Sequence, residues 1–146
     1  MFSNAPLDAD GRLRDPAKSV GHTLIDMGDD EHTRGRLHPM IDGTLRAQRI
    51  INESLDPEAA ILLLDFILGT NAAQDPVGDI VGAILEGRRR RPKEAGGLTV
   101  VASICGTEGD PQDLSGQSED LTNAGVHVFW SNARATKYCL ARLTGE

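Results

Sequence analysis

The sequence is poor in aromatic residues and in cysteine, and it has no long apolar run. Aromatic residues make up only 3% of the 146 residues and hydrophobic residues 39%, so a core must be built mainly from Leu, Ile, Val and Ala. Cys105 and Cys139 are its two cysteines, which predicts free thiols in a reducing cytosol. No apolar run reaches the roughly 18 residues of a membrane helix, and residues 1–15 lack a signal-peptide pattern. We therefore expect a cytoplasmic protein without a membrane partner.

Positive charge is also scarce relative to negative charge. The formal net charge is −7, which argues against nucleic acid and anionic membranes as the main partners. The length fits one domain of ordinary size with a real core. A globular enzyme domain or a binding module remains compatible with these values.

The part of the chain after residue 20 alternates between apolar runs and amphipathic segments. Residues 1–20 show no periodicity and are predicted to form a disordered or extended tail, followed by a domain over 21–146. Strands are predicted at 22–26, 59–68, 98–105 and 126–131, and helices at 42–55, 76–87, 111–125 and 132–143. The continuous apolar run at 59–68 is typical of a strand buried on both faces. The alternation predicts an α/β fold with a mainly parallel sheet of about four strands and helices on both faces.

Two loops after predicted strands share one pattern. "LGTNAAQDP" and "CGTEGDP" each place Gly-Thr at the strand end and Asp-Pro before a helix. Aspartate caps the first turn, proline fits where no donor is needed, and helix N-termini at the carboxyl edge of a parallel sheet favour anions. Good capping alone would also explain each loop. The candidate carboxylate or phosphate site comprises Gly69, Thr70, Gly106, Thr107, Asp110, Ser131 and Asn132, and Asp75 is the predicted helix cap.

The stretch "RLHPMIDGTLRAQRI" follows the first predicted strand, which would place it at the same edge of the sheet. Asp42 is predicted to cap the next helix. Arg46 could bind a carboxylate or phosphate through its guanidinium fork. His38 is a candidate general base, and a loop histidine bonded to backbone is the alternative. Asp65, within the apolar run, is the other catalytic candidate.

Other patterns leave alternatives open. Asp26, Asp29, Asp30 and Glu31 could hold Mg²⁺ or form a polar loop, and we assign no metal site. The run Arg88–Arg91 is typical of a helix end, where cations complement the dipole, although phosphate binding is an alternative. "DEHTRG" matches a cobalamin signature whose later elements are missing here. "ILLLDFILG" resembles the phosphoacceptor strand of receiver domains, but "VFWSNAR" lacks the lysine that such domains carry at a later strand end.

Taken together, the motifs resemble a known family. They are "LIDMGDDEHTRGRLHPMID", "TLRAQRI", "DPEAAILLLDFILG", "DPVGDI", "VVASICGTEGDPQ" and "AGVHVFWSNARA". In this order, over about residues 21–142, they are similar to the carboxy-terminal CoA-ligase-like domain of the FdrA family, itself similar to the α-subunit of succinyl-CoA synthetase. One departure is Gly43, where that family usually has proline. The resemblance implies a flavodoxin-like three-layer α/β/α fold and either acyl-CoA ligase or carbamoyl/oxamate transfer chemistry.

The same resemblance implies that another chain or domain supplies part of the function. Family members carry an amino-terminal nucleotide- or CoA-binding domain, and nothing before residue 21 resembles one. We therefore expect no cofactor held by this chain itself, CoA or nucleotide bound through a partner subunit, and an inactive isolated chain; a homo-oligomer is an alternative. The loop that carries a phosphohistidine in succinyl-CoA synthetase matches "GTEGDPQDLSGQSEDL", which has no histidine. A non-catalytic anion-binding or assembly module is the competing hypothesis, with a phosphoreceiver third.

Overall fold

The computed structural model describes residues 1–145 and divides into two compact units. The first unit is Met1–Pro39 and the second begins at Met40. Within the described residues, no helix has the length and apolar character needed to span a bilayer.

The first unit is small and contains little regular structure. Strand β1 (Phe2–Ser3) pairs in parallel with β2 (Thr23–Leu24), and a 3-10 turn (Ala9–Gly11) and helix α1 (Asp30–Thr33) complete it. The buried Asn4 side chain exchanges two hydrogen bonds with the backbone of Asp26, at 2.7 and 2.9 Å. The first predicted strand is therefore shorter than expected, and its pairing partner lies within residues 1–20.

The second unit contains the alternation that the sequence predicts. Its elements are α2 (Thr44–Leu55), β3 (Ile61–Ile67), α3 (Gly78–Arg90), β4 (Thr99–Cys105), α4 (Leu114–Asn123), β5 (His127–Phe129) and α5 (Asn132–Thr144). The strands lie in the order β3-β4-β5, all parallel, with Asp65 opposite Ser103 and Ser103 opposite Phe129. The predicted α/β fold class with a parallel sheet is confirmed. The main sheet has three strands, because the first predicted strand pairs with β1 instead.

Side chains alternate between the two faces of the main sheet because strand residues point to opposite sides. On the inner face, residues such as Phe66, Val100 and Ile104 form the larger core with α2, α3 and α4. On the outer face, Val101 packs against Ala135 and Cys139 of α5. The unit is thus layered as helices, sheet and helix.

Two arginines of the basic run at the end of α3 fasten neighbouring elements. Arg88 donates to the carbonyl of Ala124, and to that of Gly125 at 3.0 Å, where α4 ends. Arg91 donates to five carbonyls, those of Ser54, Asp56, Ala59, Ala95 and Gly96. The guanidinium groups therefore complete the hydrogen bonding of carbonyls in neighbouring segments, among them the ends of α2 and α4. That these cations complement the dipole at the end of α3 stays a prediction.

Candidate functional site

The two Gly-Thr loops lie next to each other after β3 and β4, and a buried glutamine joins them. Gln112 accepts from the Gly69 amide at 3.1 Å and donates to the carbonyls of Gly69 at 2.8 Å and Ala73 at 3.0 Å. Gly69 has a φ of +144°, a backbone conformation that residues other than glycine rarely adopt. Its amide, predicted to face an anion, is therefore already bonded within the protein.

The second loop is also closed on itself. The Thr107 amide donates to the Asp110 carboxylate at 2.7 Å, and the Asp110 amide donates to the Thr107 carbonyl at 3.1 Å. A Cβ on Gly106 would lie 2.9 Å from the Cβ of Leu68, so glycine is needed where the two loops meet. Thr70 and Thr107 are exposed beside this contact. A carboxylate at the Thr107 amide occupies the position that an anionic ligand would take.

A second buried glutamine ties the beginning of α3 to α4. Gln117 donates to Asp75 Oδ1 at 2.9 Å and accepts from the Val77 amide at 3.1 Å, while the Gly78 amide donates to Asp75 at 2.9 Å. The bond from Gln117 and those from the backbone of Gly78 and Val77 lower the pKa of Asp75 in spite of partial burial. Asp75 therefore stabilises the first turn of α3 in its ionised form.

Arg46 reaches the same region from α2. Arg46 was predicted to lie at this edge because the strand before it was expected in the main sheet. That reason is wrong, since β2 lies in the other unit. The side chain nevertheless donates to the Asp65 carbonyl at 2.6 Å, and its guanidinium carbon lies 4.3 Å from the Phe66 ring centroid. Burial lowers the pKa of Arg46 to about 10, although the Asp65 carboxylate opposes the shift. The guanidinium group therefore remains charged at neutral pH and stacks on the Phe66 ring.

Asp65 is the centre of a polar cluster on the outer face. Ser103, buried on β4, donates its hydroxyl to Asp65 Oδ1, and Asn132 at the beginning of α5 donates to both carboxylate oxygens at 2.8 and 2.9 Å. The carboxylate itself is exposed, two residues before the end of β3. An oriented carboxylate with neighbouring amide and hydroxyl groups suits a ligand that carries N–H or O–H donors.

The remaining predicted residues are placed as follows. Asp42 accepts from the Thr44 amide at 2.9 Å and from its hydroxyl at 2.6 Å, and these bonds lower the pKa of Asp42. Ser131 precedes α5, and its carbonyl accepts from amides of the first turn. His38 is exposed in the first unit. The structure thus brings Arg46, Asp65 and Asn132 together, with the two loops as a separate cluster.

The acidic residues near α1 serve local turns. Asp26 accepts from the Gly28 amide at 2.9 Å, and Asp29 accepts from the Glu31 amide at 3.0 Å. In residues 1–145, no group of three or more His, Cys, Asp or Glu side chains is arranged to hold a metal ion. The hydrogen bonds support the polar-loop alternative for this segment.

The residues that organise this edge were difficult to predict from the sequence. Gln112 and Gln117 fall in polar helix-opening segments, where glutamine is ordinarily solvated. Ser103 interrupts an apolar strand, and that interruption was the available signal. A polar residue inside a buried strand needs a partner, and its partner is the register neighbour Asp65.

Comparison with known proteins identifies a family and a relative of this chain. The family model described as CoA-ligase matches residues 8–141. The chain belongs to the CoA-ligase family. It is also 41% identical over 126 residues to the uncharacterized protein YahF of Escherichia coli strain K12. That match covers 86% of this chain and 24% of YahF, so the chain spans about a quarter of the relative's length.

Proposed function

We propose that this CoA-ligase domain is a component of an FdrA-type, succinyl-CoA-synthetase-like enzyme in the cytoplasm, which acts in acyl-CoA ligation or in carbamoyl or oxamate transfer. Family membership over residues 8–141 and the six motifs support the proposal. A partner subunit supplies the CoA- or nucleotide-binding domain. The length of YahF, about four times that of the matched segment, agrees with such a larger assembly.

The observation that carries the proposal is the Asp65 cluster at the carboxyl edge of the sheet. Ser103 and Asn132 fix the carboxylate, and the Arg46 cation donates to the backbone carbonyl of the same residue. A small amide-bearing acid such as oxamate offers N–H donors to a carboxylate and an anionic group to a cation. In this arrangement the chain binds and orients the carbonyl substrate. It does not relay phosphate through the loop after β4, where residues 106–121 contain no histidine.

The second candidate function, a non-catalytic assembly module, has one observation in its favour. The amides of Gly69 and Thr107 are bonded to Gln112 and Asp110. Loops whose amides are bonded within the protein keep a fixed conformation, which suits a surface that contacts a partner. An anion site at these loops stays a prediction.

Ligand titration tests whether the Asp65 cluster binds the proposed substrate. Oxamate, succinate, phosphate and CoA are titrated separately against ¹⁵N-labelled chain, and the amide shifts of Asp65, Ser103 and Asn132 are followed by NMR. We expect oxamate to shift these amides in the wild type but not in Asp65→Asn, with Asp79→Asn on the exposed side of α3 as the matched control. If neither oxamate nor succinate shifts them, the substrate-binding role of Asp65 is wrong. Shifts confined to both Gly-Thr loops would restore the anion site there.

A second experiment tests whether the chain acts alone. The purified chain is incubated with radiolabelled ATP, and separately with ATP, succinate and CoA. We expect neither stable phosphorylation nor acyl-CoA, because the loop histidine is absent and a partner carries the nucleotide site. Stoichiometric phosphate on any histidine, with His38 examined first, would contradict this.

A further inference from the structure

The amino end of β4 borders a pocket with cationic walls, which we call the basic pocket. It has a volume of about 270 Å³, and none of the described residues that line it is acidic. Its walls include Arg88, Arg91, Lys93, Gly96 and Gly97. Ser103, which holds the Asp65 carboxylate, lies four residues beyond the start of β4 at Thr99, about 13 Å along the strand. The basic pocket is therefore separate from the Asp65 cluster.

The four arginines at the end of α3 differ in the charge of their partners. Arg89 and Arg90 lie 2.8 and 3.9 Å from the Glu86 carboxylate. Arg88 and Arg91 bond instead to backbone carbonyls, which carry no net charge, and in the part of the chain that the structure describes neither forms an ion pair. Burial lowers the pKa of Arg88, and no carboxylate offsets that shift. The basic pocket therefore holds positive charge that the chain itself leaves unneutralised, although its net charge is −7.

The donors that remain unused in the basic pocket favour one kind of anion. Arg91 spends all five N–H groups on carbonyls and contributes only its charge. Arg88 spends two of its five N–H groups, and the exposed Lys93 ammonium makes no hydrogen bond within residues 1–145. A planar carboxylate is recognised best by a free guanidinium fork, whereas a phosphate accepts from separate donors and from an ammonium acting as a point charge. The unused donors therefore suit a phosphate better than a carboxylate.

Gly97 adds open space and a backbone donor to the basic pocket. Its neighbour Gly96 has a φ of +67°, which accounts for glycine at that position. Gly97 has no such conformation, and a Cβ added to it would meet no heavy atom within 4 Å. Neither backbone strain nor packing requires glycine there. The Gly97 amide finds no acceptor among the described residues, and the missing side chain leaves that amide open to close approach by a ligand.

We propose that the basic pocket binds a phosphate dianion, either free or as the phosphate group of a small monoester, with Lys93, Arg88 and the Gly97 amide as donors and Arg91 as a fixed positive charge. Pockets that enclose drug-sized ligands measure about 300–1,000 Å³, so this smaller pocket admits the phosphate group and leaves the rest of an ester outside. The site lies away from the Asp65 cluster and does not rest on the proposed function.

Titration of the ¹⁵N-labelled full chain tests the site at constant pH and ionic strength. Inorganic phosphate, glycerol 3-phosphate and acetate are added separately, and the amides of Lys93, Gly97 and Leu98 are followed by NMR. We expect saturable shifts with phosphate and with glycerol 3-phosphate but not with acetate. Tighter binding of glycerol 3-phosphate would assign the site to an ester, and tighter binding of phosphate would assign it to the free ion. Shifts that are absent, that do not saturate, or that acetate reproduces would overturn the inference.

Matched substitutions locate the binding. Lys93→Gln should weaken phosphate binding about tenfold, the effect of one charge-assisted hydrogen bond, while Lys137→Gln on α5 should leave it unchanged. Gly97→Glu, which places a carboxylate in the basic pocket, should abolish binding, whereas Gly82→Glu on α3 makes the same change of charge and should not. All four positions are exposed, so each variant should keep the wild-type Tm. Equal affinity in Lys93→Gln, Gly97→Glu and the wild type would place the phosphate elsewhere and overturn the inference, and oxamate binding at Asp65 judges the proposed function separately.

Discussion

Removal of the Arg91 side chain should destabilise the second unit more than removal of any neighbouring arginine. All five N–H donors of its guanidinium are used, at distances of 2.8 to 3.0 Å to five carbonyls. These carbonyls belong to the end of α2, the segment before β3 and the 3-10 turn Lys93–Ala95 with Gly96. One side chain therefore fixes three segments that have little other regular structure.

The magnitude follows from the chemistry of those bonds. A hydrogen bond to a charged group contributes about 1.5–3 kcal/mol net, but five bonds from one group are not additive and water replaces part of them. We expect Arg91→Ala to lower the free energy of unfolding by about 3 kcal/mol and, for a chain of this size, the Tm by roughly 10 °C. Arg91→Lys should recover less than half, because an ammonium group lacks the planar fork.

Equilibrium urea unfolding followed by the fluorescence of Trp130, the single tryptophan of the sequence, measures the second unit directly. Arg90→Ala is the matched control, since Arg90 is 49% exposed and lies 3.9 Å from Glu86. Its cost should be within about 0.5 kcal/mol of zero. If Arg91→Ala is no less stable than Arg90→Ala, the interpretation of Arg91 as a fastening residue is refuted.

Three further changes test the loops and the helix caps. Gln112→Ala should cost about 2 kcal/mol, because it leaves partly buried backbone groups of Gly69 and Ala73 unpaired, and should speed amide exchange of Gly69; the exposed Gln48→Ala is its control in the same urea titration. Asp42→Ala should lower the Tm while Asp42→Asn, which keeps an oxygen acceptor for the Thr44 amide, should not; equal melting of the two variants would exclude a cap. Asp75 has a pKa lowered below its ordinary value of 3.8, so its stabilisation is present above that pH and is lost as the pH falls through the lower, folded-state pKa. Asp75→Asn should therefore show a shallower acid loss of Tm than wild type, and parallel curves would argue against the ionised cap.

The main sheet was predictable because its strands are long apolar runs with few alternatives. The runs at 59–68 and 98–105 correspond to β3 and β4, and the helices between them follow from amphipathic spacing. The pairing of Thr23–Leu24 with Phe2–Ser3 was not predictable, since two residues on each side carry no periodic signal. Because this pairing was not predicted, Arg46 was placed near the sheet for an incorrect reason. The arginine side chain is nevertheless long enough to reach Asp65 from α2.

The polar contacts of the candidate site were less predictable than the positions of its loops. Glycine, aspartate and proline mark a turn by local physics, so the loops after β3 and β4 were found from the sequence. Which group bonds to the freed amides depends on residues about 40 positions away, as for Gln112 with Gly69 and Gln117 with Val77. The register of β3 and β4 likewise pairs Asp65 with Ser103, which no local pattern specifies.

The Gln112 side chain couples the positions of the two Gly-Thr loops. Its amide spans from the segment after β4 to both Gly69 and Ala73, so displacement of either loop breaks bonds to the other. We therefore expect residues 69–73 and 107–112 to open together, with similar rates of amide exchange. A ligand or a substitution that loosens one loop should also raise the opening frequency of the other.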